Sequence, residues 1–310
     1  MSDPAAVEAL PHPAPSRTSG VGGGVLLAAT SGASVQFGAA FAARLFPAVG
    51  PLGTVGLRLA AAGLVLTLVI RPWRRRWSRA DLGSSAVLGL VFAAMNTTLY
   101  LALDRLPIAT VITLEFLGPL TLAIVTAAGW AVRVWALPAA AGVAFLGGEL
   151  TAHDLAGVAL ALTAAACWAA YIVVNGRIGR TGTGLAGLTV ATLVAALLVV
   201  PVGVVSAGTA LLHPAVLATG LAVGILSSAM PYSFDLLALR RLPTAVFGVL
   251  TSLNPGMAAL AGLIVLRQAL PWASLVGIAL VTVASAGVTI TPLVRGRRSR
   301  STTITGTLGV

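Results

Sequence analysis

Residues 104–120 read DRLPIATVITLEFLGPL, and residues 240–256 read RRLPTAVFGVLTSLNPG. In each stretch an Arg-Leu-Pro opens an apolar run and a second proline follows twelve positions later, Pro107 with Pro119 and Pro243 with Pro255. The two pairs are displaced by 136 positions. A second echo lies upstream, where Gly24, Thr30 and Arg44 match Gly157, Thr163 and Arg177 at an offset of 133. The chain reads as two related halves, and doubling of this kind in an apolar chain points to a transporter architecture.

The composition places those halves in a membrane. The chain is 58% hydrophobic and 9% charged, with a mean hydropathy of +1.00, far beyond what a soluble domain of this length needs. A bilayer core of roughly 30 Å is crossed by about 20 apolar residues as a helix. Charge and proline punctuation predicts ten such spans, near 21–43, 50–70, 84–103, 108–128, 132–148, 155–175, 185–206, 215–238, 244–264 and 271–291. Arg133 and Pro138 interrupt the fifth. The fold class expected is thus an all-α integral membrane protein, with a five-helix repeat at 21–148 and another at 155–291. Five is odd, so the second repeat enters the membrane upside down relative to the first, an inverted repeat. Residues 1–20, rich in Pro, Ala and Ser without an apolar core, read as a disordered cytoplasmic tail and not as a signal peptide. Residues 292–310 read as a basic cytoplasmic tail.

All 19 basic residues are arginine. With both termini in the cytoplasm, only Arg44, Arg105 and Arg267 fall outside and Arg58 falls within a span, which satisfies the positive-inside rule for a multi-pass plasma-membrane protein. The net charge of +11 therefore does not indicate nucleic acid, which needs cations on a solvated face beside stacking aromatics. The run from Arg71 to Arg79 reads as an anchor that meets anionic lipid. Trp73, Trp77, Trp130, Trp135 and Trp272 sit near span ends as interfacial belt residues. A lone Cys167 excludes a disulfide framework and a multi-cysteine metal site. His12, His153 and His213 have no metal-ligand spacing, no nucleophile-elbow or phosphate-loop motif is present, and the eight carboxylates are scattered. Neither an enzyme nor a bound cofactor or metal is expected.

Polar groups at membrane depth are the candidate site. Three ionisable residues fall inside predicted spans, Arg58, Glu115 and Asp235, and each is costly there unless paired or solvated. At 1.5 Å per residue Glu115 lies about 12 Å and Arg58 about 10 Å below the outer surface, and Asn96 reaches a comparable depth. Arg58 and Glu115 either pair structurally or hold the two ends of a zwitterion. Asp235 stands close to the Arg240-Arg241 boundary, within reach of those arginines or of cytoplasmic water. Tyr100 and Tyr232, with Trp168, have the depth to line a cavity. On the sixth span Thr163, Cys167, Tyr171 and Asn175 share one helical face, a stripe that serves either helix packing or a ligand. Pro119 and Pro255 free the carbonyls of Glu115 and Thr251. A free carbonyl is expensive in lipid, so both kinks should face protein or a wet cavity, unless Thr251 or Ser252 re-satisfies its carbonyl.

The repeated Arg-Leu-Pro openings and the helical Pro119 and Pro255 resemble the EamA-type branch of the drug/metabolite transporter superfamily. TVITLEFLGPL (110–120) and MPYSFDLLALRRLPTAVFGVLTSLNP (230–255) are similar to the threonine/homoserine exporter group within it. The resemblance implies ten helices in two inverted repeats. It also implies a central cavity lined by Glu115, Asp235, Tyr232 and the region of Asn254, and export of an amino acid coupled to proton entry. Two positions depart from the group's pattern, Asn254 where an acid is expected and Arg267-Gln268 where a Gly-Glu pair is expected. Other readings of the residues are a broad-specificity metabolite or drug exporter and a non-transporting membrane assembly or receptor subunit. A homodimer through the terminal helix of each repeat is compatible with the sequence, though nothing in it demands one.

Overall fold

The computed structural model describes residues 17–127, 129–147, 154–179, 183–239 and 241–306. All regular structure among them is helical. In the first half α1 (Arg17–Ala43), α2 (Phe46–Ile70) and α3 (Arg79–Leu103) lead to the short pair α4 (Ile108–Glu115) and α5 (Leu117–Thr126), then α6 (Trp130–Arg133) and α7 (Ala136–Gly147). The second half holds α8 (Leu155–Gly179), α9 (Gly184–Ala207), α10 (Pro214–Gly224), α11 (Met230–Leu239), α12 (Thr244–Thr251), α13 (Asn254–Leu266) and α14 (Trp272–Gly306). Among the described residues eight helical segments are long and apolar enough to cross a membrane, including the stretch from Ile108 to Thr126 and that from Val246 to Leu266. The spans expected near 132–148 and 215–238 appear as shorter apolar helices, Trp130–Leu146 and Pro214–Ala229. Arg133 closes α6 in the first of these, and a π turn at Ile225–Ala229 separates α10 from α11 in the second. The last helix continues past 291 to Gly306.

Local chemistry fixes the ends of these helices. Ser78 caps α3: its hydroxyl accepts the Asp81 N–H at 3.1 Å, and the Asp81 carboxylate accepts the Ser78 N–H at 3.3 Å. The two bonds form a capping box, which satisfies two backbone donors that the start of the helix would otherwise leave orphaned. At the end of α2, Arg71 turns into the left-handed region (φ 53°) and its N–H returns to the Thr67 carbonyl. Gly50 breaks the first turns of α2 with φ 67° and ψ 172°, just before Pro51.

The two proline-flanked segments are alike in backbone as well as in sequence. Pro107 (φ −55°, ψ 140°) precedes the eight-residue α4, and Pro243 (φ −57°, ψ 140°) precedes the eight-residue α12. Each helix ends on a residue with nearly the same dihedrals, Phe116 (−63°, −18°) and Ser252 (−61°, −18°).

Packing exchanges elements between the halves. The first helix lies against α11, α12 and α13, while α8 lies against α3, α4 and α5. Gly24 admits the close approach of Leu242, since a β-carbon there would lie 2.7 Å from Leu242 Cγ; Gly157 does the same for Leu106 at 2.8 Å. Helices approach this closely in lipid mainly where a small residue lets them. Between them lies one large cluster that includes Val55, Leu59, Phe92, Tyr100, Val111, Ala161 and Val281. Leu68, Val69, Val125, Leu197 and Val205 stand exposed on the outer faces. Apolar side chains outside and polar ones within is the arrangement expected of a multi-pass membrane protein.

Candidate functional site

Arg58 on α2 is the centre of the buried polar layer. It is 8% exposed. Nη1 donates to Asn96 Oδ1 on α3 at 2.6 Å, and Nη2 donates to the Ser227 carbonyl at 3.4 Å. Nε has no hydrogen-bond partner. Asn96, 1% exposed, is held in turn by its own amide, which donates to the Phe92 carbonyl at 2.8 Å. Arg58 Cζ also lies 5.4 Å from the centroid of the Tyr100 ring, a cation–π contact. The Tyr100 hydroxyl is buried close to Arg58, and its own proton has no acceptor.

Glu115 ends α4, directly before the break that Pro119 helps to set, and is 6% exposed. The expected layer of Arg58, Asn96 and Glu115 is thus assembled only in part. Arg58 makes its hydrogen bonds to Asn96 and Ser227 rather than to Glu115, while its positive charge acts on both Glu115 and Tyr100.

Ser227 belongs to the π turn, which has a local cause in the sequence. Pro231 has no N–H to give the carbonyl four residues back, that of Ser227. That carbonyl is the one Arg58 Nη2 reaches. The first helix attends to the same segment: Ser34 Oγ donates to the Leu226 carbonyl at 2.6 Å, and Ser31 Oγ to the Pro231 carbonyl at 3.3 Å. Gly38 leaves room for Ser227, whose amide nitrogen a β-carbon would approach to 3.2 Å. π turns recur at functional sites because their widened loop exposes backbone carbonyls to other partners. Sequence reasoning passed over this segment, although the pair Ser227-Ser228 followed by Pro231 is a readable sign of it.

Asp235 on α11 is half-buried and faces Ser31 of α1, whose hydroxyl acts on its carboxylate. Asn254, at the start of α13, packs against Gly32 of α1. A β-carbon at Gly32 would meet Asn254 Oδ1 at 2.7 Å, and this oxygen is buried without a donor. The Tyr232 and Asn175 side chains lie outside the described residues. Tyr171 is half-buried with its ring 6.1 Å from that of Phe92, whereas Thr163 on the same stripe is exposed and bonds the Ala159 carbonyl of its own helix. Trp168 is occupied by an edge contact with Phe116 at 4.9 Å.

Several side chains stand elsewhere than expected. Thr251 and Ser252 both donate to the Gly248 carbonyl at 2.9 Å, not to the carbonyl that Pro255 frees, because each hydroxyl reaches back along its own helix. Trp135, half-buried, turns towards the last helix: Nε1 donates to Thr291 Oγ1 at 2.8 Å, and its ring fills the space a side chain at Gly287 would need. Gln268, where an acid was expected, accepts the Ile108 N–H at 3.1 Å and so satisfies the first turn of α4. Arg44 donates to the Val265 carbonyl in the last turn of α13, where a cation also meets the negative end of the helix dipole.

Residues 155–290 match the EamA-like transporter family. Over 270 residues the chain is 39% identical to the threonine/homoserine exporter RhtA of Salmonella typhimurium strain LT2, covering 86% of this chain and 90% of that one. It is also 39% identical over 262 residues to the protein of the same name from Escherichia coli K12, covering 84% of this chain and 88% of that one. A crystal structure at 23% identity matches with a TM-score of 0.54, over 89% of this chain and 99% of the other, a likeness of fold.

Proposed function

Because the chain belongs to the EamA-like transporter family, we propose that it exports a small polar amino acid of the threonine or homoserine kind across the plasma membrane by proton-linked alternating access. Ten helices in two inverted repeats enclose the pathway, and rocking between two near-equivalent arrangements opens it to each side in turn. The two named exporters and the buried carboxylate of Glu115 support this reading.

Glu115 carries the coupling. It sits within the membrane at a proline-broken helix, near a cation that it does not bond. A carboxylate so placed is able to alternate between a proton and the ammonium of the substrate. Asn96, Tyr100, Tyr171, Tyr232 and Asn254 supply hydrogen bonds, Asp235 is the second acid of the pathway, and Pro119 and Pro255 hold its kinks. With an amide at 254, Glu115 and Asp235 are the membrane-depth acids left to carry protons.

The test is efflux of labelled threonine and homoserine from cells, with an imposed proton gradient as the variable. Gradient-dependent efflux that disappears in Glu115→Gln at normal membrane abundance supports the mechanism. Wild-type rate and gradient dependence in that variant would remove Glu115 from it.

A further inference from the structure

Among the described residues no carboxylate is hydrogen-bonded to Arg58, and Glu115, on which its charge acts, is not bonded to it. The hydrogen bonds of Arg58 go to a neutral amide and to a backbone carbonyl. A guanidinium taken out of water is strongly penalised unless an anion joins it. The two edges of the group differ in their commitments. Nη1 is engaged with Asn96 at 2.6 Å. On the other edge Nη2 has only a long bond of 3.4 Å to Ser227, and Nε has none. Nε–H and the adjacent Nη2–H point the same way and form the side-on fork that receives a carboxylate with two parallel hydrogen bonds. The Tyr100 hydroxyl, buried on the residue whose ring packs on this guanidinium, lies close to Arg58 and still has its own proton to give, a third donor of the same layer.

From this geometry we infer that the Nε–Nη2 edge of Arg58, with the Tyr100 hydroxyl, is the subsite for the α-carboxylate of the transported solute. The inference rests on the exporter reading above and adds to it the chemical class that is admitted: compounds with a free carboxylate, not their amides, esters or alcohols. It also links occupancy to movement. A carboxylate seated on the Nε–Nη2 edge draws the guanidinium toward itself and competes with the long Nη2 bond to the Ser227 carbonyl, so the tie between the π turn at Ile225–Ala229 and α2 weakens while Nη1 stays on Asn96. Substrate binding and loosening of one wall are then linked.

The experiment uses the full chain in liposomes with labelled threonine inside, and compares threonine, homoserine, threonine amide and threoninol as competitors. The neutral-ended compounds keep the ammonium and the side chain, so their loss of affinity reports the carboxylate alone. We expect them to compete at least about tenfold less well in the wild type. In Arg58→Lys, which keeps the charge and loses the fork, and in Tyr100→Phe, the gap narrows because the acids weaken. Equal competition by acid and amide in the wild type would overturn the subsite and leave the exporter reading standing. If no carboxylate-bearing compound competes or moves, the substrate reading and this inference fall together.

Discussion

Gly142 of α7 and Gly277 of α14 each occupy the place where the other's side chain would be. A β-carbon at Gly142 would lie 2.8 Å from the Gly277 carbonyl oxygen, and one at Gly277 would lie 2.7 Å from the Gly142 carbonyl oxygen. The two helices meet backbone to backbone, and the 135 positions between the glycines nearly repeat the offsets of the sequence echo. Without a hydrophobic drive between helices in lipid, such dispersion-dominated contact is what holds a pair together.

Gly142→Ala should therefore destabilise the protein by about 1–3 kcal/mol, the usual cost of overpacking a close contact. The control is Gly256→Ala in α13, where a β-carbon meets open space. There the better helix propensity of alanine should leave stability unchanged or raise it by up to about 1 kcal/mol. Thermal unfolding in detergent compares the two, and an unchanged midpoint for Gly142→Ala would show that α7 and α14 can part without loss.

Gly118 and Gly32 make a second comparison. A β-carbon at Gly118 would overlap the carbonyl group of Ala165 in α8, which is backbone and has nowhere to go. At Gly32 the obstacle is the end of the Asn254 side chain at 2.7 Å and Met257 Sδ at 3.1 Å, both on rotatable bonds. Gly118→Ala should thus abolish accumulation of folded protein. Gly32→Ala should fold, yet transport poorly because Asn254 is displaced. Membrane abundance and efflux per molecule separate these outcomes, and equal abundance of the two variants would contradict the packing at Gly118.

The proline echo made the broad architecture readable, since Pro107 and Pro243 start α4 and α12 at positions 136 apart and the breaks at Phe116 and Ser252 follow the same spacing. Burial of Arg58, Asn96 and Glu115 was legible too, because charge in an apolar run has few other places to be. Pairing was not. Which acceptor takes an arginine depends on helices far away in sequence, here Asn96 and the Ser227 carbonyl, and periodicity within one helix carries no information on that. The reaches of Thr251 and Ser252 failed for the opposite reason, a choice between two carbonyls of one helix that only the local geometry decides.

Asn96→Asp tests the unpaired state of Arg58. Aspartate is nearly isosteric and would give the guanidinium a counter-ion in place of an amide oxygen, turning the 2.6 Å bond into a charge-assisted one. We expect a higher unfolding midpoint together with reduced transport, since the cation is then neutralised from within. Asn96→Leu removes the partner altogether and should cost about 3–5 kcal/mol, the range for stranding a buried charge. Both variants lose the amide donation to Phe92, so that term cancels between them. An aspartate variant with wild-type transport would mean that the charge of Arg58 has no part in it.

Pro231→Ala acts on the π turn without touching any side chain of the polar layer. Alanine restores an N–H four residues after Ser227, and the carbonyl there gains a partner within its own helix. That partner competes with Arg58 Nη2, whose bond at 3.4 Å is already long. The segment Ile225–Ala229 should tighten into an ordinary α-helix, a form with better hydrogen bonds and fewer exposed carbonyls. Stability should rise, because a helix interior tolerates alanine better than proline by up to about 3 kcal/mol. Efflux should fall, because the wall of the site that opens on substrate binding is now closed by backbone bonds. Hydrogen exchange of the amides at 227–230, present in both proteins, reports the first effect and labelled efflux the second. Slower exchange with undiminished efflux would separate the π turn from transport, whereas slower exchange with slower efflux would identify it as the moving element.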